Sequence, residues 1–223
     1  MRDVIESACD ESGAKLFIPD MSRFKIISEN IDGTDIDVSG LEIHTPFLGE
    51  HQVKNAAVAI ELAKVLRTKG FDIDSNKLIS GFKKAFIPAR MEILSKRPLC
   101  LLDGGHNPGC AEALRDALTR FVPQRRIAIM GMMSDKDSAC ALAAIGPMFS
   151  RIITVRPDNP RAMSAEELAN TARAFCPDSC AANSMEEALA LSLDGLTDED
   201  ALIVCGSFYL AGELRPLLLE QFK

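Results

Sequence analysis

Long uninterrupted hydrophobic runs are missing from this sequence of 223 residues. None approaches the roughly 20 apolar residues that a membrane-spanning helix needs. The opening Met1-Arg-Asp-Val-Ile-Glu-Ser7 is too acidic and too interrupted for a secretory signal. An excess of basic charge is missing too, because the formal net charge is −7 and the isoelectric point is near 5.1. Since a phosphate backbone favours a basic face, this balance argues against nucleic acid as the main partner.

Paired cysteine motifs are also absent. The seven cysteines include no C-x-x-C, and an odd number of thiols cannot form a closed disulfide framework. They are typical of the reduced thiols of a cytoplasmic protein. Cys176 and Cys180 have a spacing that could serve a metal, but no second Cys or His pair accompanies them, which favours a structural role. We therefore expect a cytoplasmic protein, and no metal ligand is identified.

A regular alternation of apolar runs and helical stretches follows Arg90. Strands are predicted over 99–102, 126–130, 151–155, 179–182 and 201–205, and helices over 110–121, 138–149, 164–175, 185–193 and 208–222. Ser164 and Ser184 each precede a Glu by three residues, which is the capping-box spacing. Strands and helices alternating at this interval are typical of βαβ units. The prediction is an α/β fold with a mostly parallel sheet flanked by helices.

The residues before Ile87-Pro88 follow a different pattern, which indicates a second unit. Helices are predicted over 3–11, 53–69 and 75–85, and strands over 15–18, 24–27, 35–38 and 41–43. Asn30-Ile-Asp-Gly33 supplies a turn between two of these strands.

The most informative segment is Leu99-Cys-Leu-Leu-Asp-Gly-Gly-His-Asn-Pro108. An apolar strand delivers the carboxylate of Asp103 at its end, two glycines turn the backbone, and His106 and Asn107 precede a helix. In an open α/β sheet, ligands bind outside the carboxyl ends of the strands. The alternative is an Asx-type turn with a glycine-rich corner, which is common in such proteins.

Four further clusters carry polar groups. In the first, over 48–57, Gly49 and His51 precede a predicted helix and Asn55 lies one turn inside it. The second, over 87–90, ends in Arg90, and the third, over 131–137, contains Lys136. The fourth, over 205–215, contains Ser207 and Tyr209. Each has a simple structural alternative, such as a helix cap, a polar loop or an exposed Arg. Together they place polar groups at three predicted strand ends and at the junction of the two units.

The order of these clusters resembles the folylpolyglutamate synthase and dihydrofolate synthase family of Mur-type ligases. The strings GEHQxxNAA, PxR, LLDGxHNP, GMMxDKD and GSFYLAGE occur in that order, and the resemblance covers essentially the whole chain. Two positions depart from the family pattern, since Ala89 stands where glycine is usual and Gly105 where alanine is more common. Neither change removes a polar group.

The resemblance implies a Rossmann-like C-terminal Mur-ligase domain over 89–223, preceded over 1–88 by the end of the central ATPase domain. No G-x-x-x-x-G-K-[ST] phosphate loop occurs in the chain. The family's phosphate loop, its Mg²⁺ ligands and its modified lysine are expected upstream. We therefore expect a C-terminal part of a ligase that is not catalytic alone, and either a monomer or a partner of the rest of the ligase.

The resemblance also implies a reaction and a set of residue roles. ATP phosphorylates the terminal carboxylate of a folate (tetrahydrofolate or dihydropteroate), and the amine of L-glutamate attacks the acyl phosphate. Arg90 suits the ATP phosphates, Asp103 the ribose hydroxyls, and Asn55 the adenine edge with His51 beside it. His106 and Lys136 would face the reacting groups, and Ser207 and Tyr209 would take the carboxylates of glutamate.

Two alternatives stay open at this point. One is a Mur-type ligase that acts on a cell-wall precursor, although the DGGHN and GSFYLAGE strings favour the folate branch. The other is a non-catalytic binding or regulatory module derived from a ligase. The absent phosphate loop favours this second alternative, and the set of polar residues at the strand ends argues against it.

Overall fold

The structure is a computed structural model that describes residues 2–123 and 125–223. The chain falls into two units, one formed by 1–46 with 50–85 and the other by 47–49 with 86–223. The assignment of 1–88 and 89–223 to two ligase domains stays a prediction.

The first unit is built on a three-stranded antiparallel sheet. Its elements are α1 (Arg2–Ser12), β1 (Phe24–Asn30), β2 (Gly33–Val38), β3 (Leu41–Thr45), α2 (Glu50–Thr68) and α3 (Ser75–Lys83). The strands pair in the order β1-β2-β3. Alternate residues of β2 and β3, including Ile36 and Ile43, are buried against Val53 and Ile60 of α2. The buried face of α2 is thus apolar, and Val58 and Leu62 on the same helix are exposed.

Two predictions for this unit are wrong. Residues 15–18 form no strand, and Phe17 and Ile18 are about half exposed. The short apolar run pairs with no strand in the part of the chain that the structure describes. Without a neighbouring strand to hydrogen-bond with, its backbone does not become part of a sheet. His51 does not precede a helix, because α2 begins at Glu50 and places His51 in its first turn.

The second unit contains a six-stranded sheet. Its strands are β4 (Glu92–Lys96), β5 (Leu99–Asp103), β6 (Arg126–Met130), β7 (Arg151–Thr154), β8 (Ser179–Ala181) and β9 (Ala201–Cys205), and its helices are α4 (Pro108–Phe121), α5 (Ser138–Ile145), α6 (Ala165–Ala172), α7 (Met185–Leu193) and α8 (Phe208–Gln221). The strand order is β4-β5-β9-β6-β7-β8. Strands β5 to β9 are parallel, and β4 is an antiparallel edge strand. The predicted α/β fold with a mostly parallel sheet is confirmed.

Helices cover both faces of this sheet. Buried side chains of α7 and α8, such as Ala188 and Leu214, pack against alternate strand residues that include Leu102 and Val204. The strand residues in between point to the opposite face, where α4 and α5 pack side by side. With both faces buried, the central strands read as continuous apolar runs.

Helix ends follow local sequence signals. Ser164 and Ser184 accept the backbone N–H of Glu167 and Glu187 at 3.2 and 3.1 Å, as their predicted caps require. Helix α5 ends at Ile145 rather than at 149, because Gly146 and a proline follow and form a 3₁₀ turn. Helix α6 ends at Ala172 rather than at 175.

An ion pair joins the amino ends of β6 and β9. Asp200 is buried, accepts the backbone N–H of Thr197 at 2.8 Å and pairs with Arg125. This pair lies at the edge of the sheet opposite to the carboxyl ends of the strands. Among the described residues, the helices are all too short or too polar to cross a membrane.

Cysteine burial generates a prediction about thiol reactivity. Burial, with a smaller contribution from Glu92, raises the pKa of Cys100 to about 12, and burial followed by the charge of Asp103 raises the pKa of Cys205 even further. Cys140 is exposed. Because the thiolate is the reactive form, iodoacetamide at pH 8 should label Cys140 in the native protein and leave Cys100 and Cys205 unmodified, as measured by peptide mass spectrometry. Urea-unfolded protein is the control, and rapid native labelling of Cys205 would contradict the prediction.

Candidate active site

Three neighbouring strands end at the same edge of the six-stranded sheet. Strand β5 ends in Asp103, β9 is followed by Ser207, and β6 is followed by the loop that contains Lys136. The strands are parallel and in register, with Asp103 opposite Cys205 and Cys205 opposite Met130. The parallel topology therefore brings three of the predicted polar clusters to one edge.

Asp103 fixes the backbone on both sides of its strand. Its Oδ1 accepts the backbone N–H of Gly105 at 2.8 Å, and its Oδ2 accepts that of Met91 at 3.0 Å. The side chain is buried. A carboxylate can accept about four hydrogen bonds, so these two bonds are compatible with further donors such as the hydroxyls of a ribose. The bond to Gly105 is the Asx-type turn that the sequence offered as an alternative, whereas the bond to Met91 was not predicted.

Gly105 is the position at which the family more commonly has alanine. A Cβ atom at this residue would lie 2.5 Å from Asp103 Oδ1 and 2.7 Å from the Cβ of Cys110. Real Cβ atoms are not found that close to other heavy atoms, so an alanine would require the carboxylate or the start of α4 to shift. In this chain the glycine allows the tight turn between Asp103 and α4.

Arg90 lies in a strained segment. Its neighbours Ala89 and Met91 have φ values of +54° and +48°, a region that costs a non-glycine residue roughly 1–2 kcal/mol. The conformation is held because Ala89 donates its N–H to Glu92 at 2.9 Å and accepts the N–H of Gly104 at 2.7 Å. A positive φ favours glycine, the residue that the resemblance gives as usual at position 89.

Phe208 lies between two predicted site residues. The guanidinium carbon of Arg90 is 5.0 Å from the centroid of the Phe208 ring, and the His106 ring meets it edge-on, with centroids 6.2 Å apart. A guanidinium over an aromatic face is attracted by the ring quadrupole. Sequence reasoning missed Phe208, although it lies inside the GSFYLAGE string beside Ser207. Arg90 and His106 are thus brought to one aromatic side chain.

Ser207 begins α8. Its buried hydroxyl accepts the backbone N–H of Leu210 at 3.1 Å as the helix N-cap and can still donate its own proton to a ligand. The preceding Gly206 has a φ of +113°, and a Cβ there would lie 2.8 Å from the carbonyl oxygen of Gly131. The amino end of a 14-residue helix favours negative charge, which suits a carboxylate. Tyr209 follows in the first turn and is exposed.

Lys136 lies in the loop that follows β6. Its Nζ is 3.5 Å from Asp135, and the same carboxylate lies 3.6 Å from the guanidinium of Arg161. Ser134 ties this loop to the one after β7, because its N–H donates to the carbonyl of Arg161 at 2.8 Å. Lys136 is half-buried. It lies near the strand ends in a cluster of charged side chains with Asp135 and Arg161.

Another ion pair involves Glu92, which follows Arg90 by two residues. Arg215 of α8 donates hydrogen bonds from both Nε and Nη2 to the carboxylate of Glu92 in β4, at distances of 2.8 to 3.1 Å. The Glu92 side chain is 8% exposed and that of Arg215 31%. The hydrogen bonds and charge of Glu92 raise the pKa of Arg215 above its ordinary value. Sequence reasoning did not identify either residue, since they are 123 positions apart.

His51 and Asn55 belong to the first unit. Both are exposed on α2, one turn apart, and Asn55 Nδ2 donates to Gln52 Oε1 at 3.0 Å. Their predicted contact with adenine stays a prediction.

No three His, Cys, Asp or Glu side chains among residues 2–123 and 125–223 lie close enough together to hold a metal ion.

Comparison with known proteins assigns the second unit. The family model described as "Mur ligase, glutamate ligase domain" matches residues 89–208. Folylpolyglutamate synthase of Lacticaseibacillus casei is 33% identical over 184 residues, which cover 82% of this chain and 41% of that protein. The chain thus spans less than half the length of this curated relative.

Two solved structures share the fold. The folylpolyglutamate synthase of Mycobacterium tuberculosis, complexed with ADP and AMPPCP, matches 97% of this chain and 52% of its own with a TM-score of 0.82 and 25% identity. The bifunctional folylpolyglutamate synthase/dihydrofolate synthase of Yersinia pestis, complexed with AMPPNP and Mn ion, matches 96% and 50% with a TM-score of 0.71 and 25% identity. Together with the match over 89–208, these likenesses establish that the chain belongs to the Mur ligase family and carries its glutamate ligase domain.

Proposed function

We propose that this chain is part of an ATP-dependent ligase that joins L-glutamate to a folate, as folylpolyglutamate synthases do. The observation that carries the proposal is the convergence of Arg90, His106 and Ser207 on Phe208 and its helix at the strand ends, beside the fixed carboxylate of Asp103. The likeness to relatives named for this activity, one of them solved with ADP and AMPPCP, supports it. We propose that it acts in the cytoplasm.

The chemistry would proceed in two steps. The γ-phosphoryl group of ATP passes to the terminal carboxylate of the folate, which gives an acyl phosphate and ADP. The amine of glutamate then attacks the carbonyl carbon, phosphate leaves with the bonding electrons, and the new amide nitrogen loses a proton. Phosphoryl transfer needs positioning and charge stabilisation more than covalent participation of the protein.

The nucleotide would be held by Arg90 at the phosphates and Asp103 at the ribose, with Asn55 and His51 at the adenine. A guanidinium can form paired hydrogen bonds to phosphate oxygens, and a carboxylate accepts from both hydroxyls of a diol. Arg90 is half-buried and close to the strand ends, where it can exchange its aromatic contact for a phosphate. We propose that residues 1–88 are the end of a central ATPase domain.

The acceptor side would involve a second group of residues. Ser207 offers a hydroxyl at the amino end of α8, a suitable place for a carboxylate of glutamate, with Tyr209 beside it. His106 and Lys136 would contact the acyl phosphate and the leaving phosphate, because both can donate hydrogen bonds to anionic oxygens. We assign the phosphate loop and the Mg²⁺ ligands of the reaction to the other half of such a ligase.

The role of Arg90 can be tested by nucleotide binding. Arg90→Ala should weaken binding of ADP or a non-hydrolysable ATP analogue roughly tenfold or more, because one charge-assisted contact is worth about 1.5–3 kcal/mol. Isothermal titration calorimetry measures the change. Arg156→Ala, which removes an exposed guanidinium from the same unit, is the control. Equal binding by Arg90→Ala and the wild type would contradict the assignment.

The reaction itself can be tested by incorporation of labelled L-glutamate into tetrahydrofolate. We expect no product from this chain alone and ATP-dependent product when it is mixed with an amino-terminal fragment of a related ligase that carries the phosphate loop. Product from the chain alone would refute our assignment of the phosphate site to the other half. Absence of product in both cases, with nucleotide still bound, would favour the non-catalytic module.

The role of Ser207 can be separated from its capping role in the same mixture. Ser207→Ala and Ser184→Ala each remove a helix N-cap, so each should lower the free energy of unfolding by about 1 kcal/mol. Only Ser207→Ala should raise the KM for glutamate, by about tenfold or more, without changing the affinity for nucleotide. Equal glutamate KM values in the two variants would show that Ser207 only caps the helix.

A further inference from the structure

The Glu92–Arg215 pair touches the segment that presents Arg90. Glu92 Oε2, which Arg215 Nε contacts at 3.0 Å, also accepts the backbone N–H of Ala89 at 2.9 Å. On the other side of Arg90, Met91 donates its N–H to Asp103 at 3.0 Å. Arg90 therefore lies between Ala89 and Met91, and the backbone N–H of each of these two neighbours donates a hydrogen bond to a buried carboxylate.

This arrangement differs from an ordinary structural ion pair. The segment has left-handed backbone conformations on both sides of Arg90, and such conformations persist only where the surroundings hold them. Arg215 keeps the buried Glu92 carboxylate oriented, since a bidentate guanidinium fixes the carboxylate plane. The Phe86 ring also contacts Arg215, with its centroid 5.7 Å from the guanidinium carbon. The oriented carboxylate then fixes the N–H of Ala89.

The same pair connects Arg90 to α8. Arg215 lies on the helix that begins at Ser207 and carries Phe208, the ring on which Arg90 rests. The backbone of the Arg90 segment and the aromatic contact of its side chain therefore depend on one helix. A displacement of α8 would move both contacts together.

We infer that Glu92 and Arg215 are positioning residues, which hold the Ala89–Met91 segment so that the Arg90 guanidinium lies on Phe208 at the strand ends, ready for an anionic ligand. The inference rests on the proposed function only where the ligand is a nucleotide phosphate. The placement of Arg90 itself is a property of this unit.

The test compares Glu92→Gln with Asp200→Asn in the full chain. Both variants neutralise a buried carboxylate that pairs with an Arg and accepts a backbone N–H, but Asp200 lies at the opposite edge of the sheet. Both should lower the Tm. Only Glu92→Gln should weaken binding of ADP, by about tenfold, and Arg215→Lys should weaken it less, because lysine keeps the charge and loses the bidentate geometry. Equal affinities for ADP in Glu92→Gln and Asp200→Asn would overturn the inference.

A second measurement does not depend on nucleotide. In the wild type, the side-chain resonances of Arg90 should carry a ring-current shift from Phe208, which Phe208→Leu should abolish and thereby assign. Glu92→Gln should reduce this shift towards random-coil values, and Asp200→Asn should leave it unchanged. An undiminished shift in a folded Glu92→Gln variant would overturn the inference, whether or not the chain binds nucleotide.

The double variant Arg90→Ala/Glu92→Gln separates this inference from the proposed function. If Glu92 acts through Arg90, the double variant should bind ADP no more weakly than Arg90→Ala alone. Additive losses would show that Glu92 acts independently and would overturn the inference. Wild-type protein that binds no ADP even when mixed with the amino-terminal fragment that carries the phosphate loop would contradict the nucleotide role of Arg90. The ring-current measurement would still decide whether Glu92 positions it.

Discussion

The carboxylate of Asp103 holds the candidate site together. It receives a backbone N–H from Met91 and another from Gly105, so one side chain fixes the segment before β4 and the turn after β5. A buried carboxylate is costly unless hydrogen bonds compensate for the water that it loses. Two of its hydrogen bonds come from backbone groups that would themselves need partners. Arg90 and His106 lie one residue beyond these two bonds, so their positions follow from the same carboxylate.

The local conformation around Arg90 is unfavourable in isolation. Two left-handed residues flank it, and each costs roughly 1–2 kcal/mol. A net hydrogen bond contributes about 1 kcal/mol, so one bond would not hold both residues. Three backbone hydrogen bonds, from Ala89 to Glu92, from Gly104 to Ala89 and from Met91 to Asp103, are of a comparable total size. The stability of the segment therefore depends on the packing of β4, β5 and α8, which holds the partners of these hydrogen bonds in place.

The sequence predicted the central strands well and the edges poorly. Strands β6 and β9 and helix α7 have the predicted bounds, because a strand buried on both faces reads as an apolar run between polar loops. Strand β4 was not predicted, since it is half-buried at a sheet edge and its pattern is weak. Residues 15–18 were wrongly predicted as a strand from an apolar run alone. An apolar run in the sequence thus indicates that a segment is buried, whereas an edge strand forms only where a neighbouring strand is present to pair with it.

The candidate site shows the same limit. The placement of Asp103 at a strand end could be predicted from an apolar run followed by two glycines. Its bond to Met91 could not, because that contact requires β4 to lie beside β5. The Glu92–Arg215 pair and the Phe208 ring are likewise products of tertiary packing between distant residues. The sequence motifs show where in the chain the candidate site residues lie, but they do not show the tertiary contacts that orient those side chains.

The contact between Arg90 and Phe208 has a strength suited to exchange. A cation–π contact at a partly exposed position contributes about 0.5–1 kcal/mol, whereas charge-assisted hydrogen bonds to an anion contribute about 1.5–3 kcal/mol. A phosphate that reached Arg90 would therefore displace the ring at little cost. If an acidic side chain stood in the place of Phe208, its salt bridge with Arg90 would have to be broken before a phosphate could bind. If nothing contacted Arg90, its long side chain would lose its rotamer entropy when the phosphate bound. Phe208 limits the motion of Arg90 while leaving its guanidinium hydrogen-bond donors available to an anion, which is the compromise that a side chain awaiting a charged ligand requires.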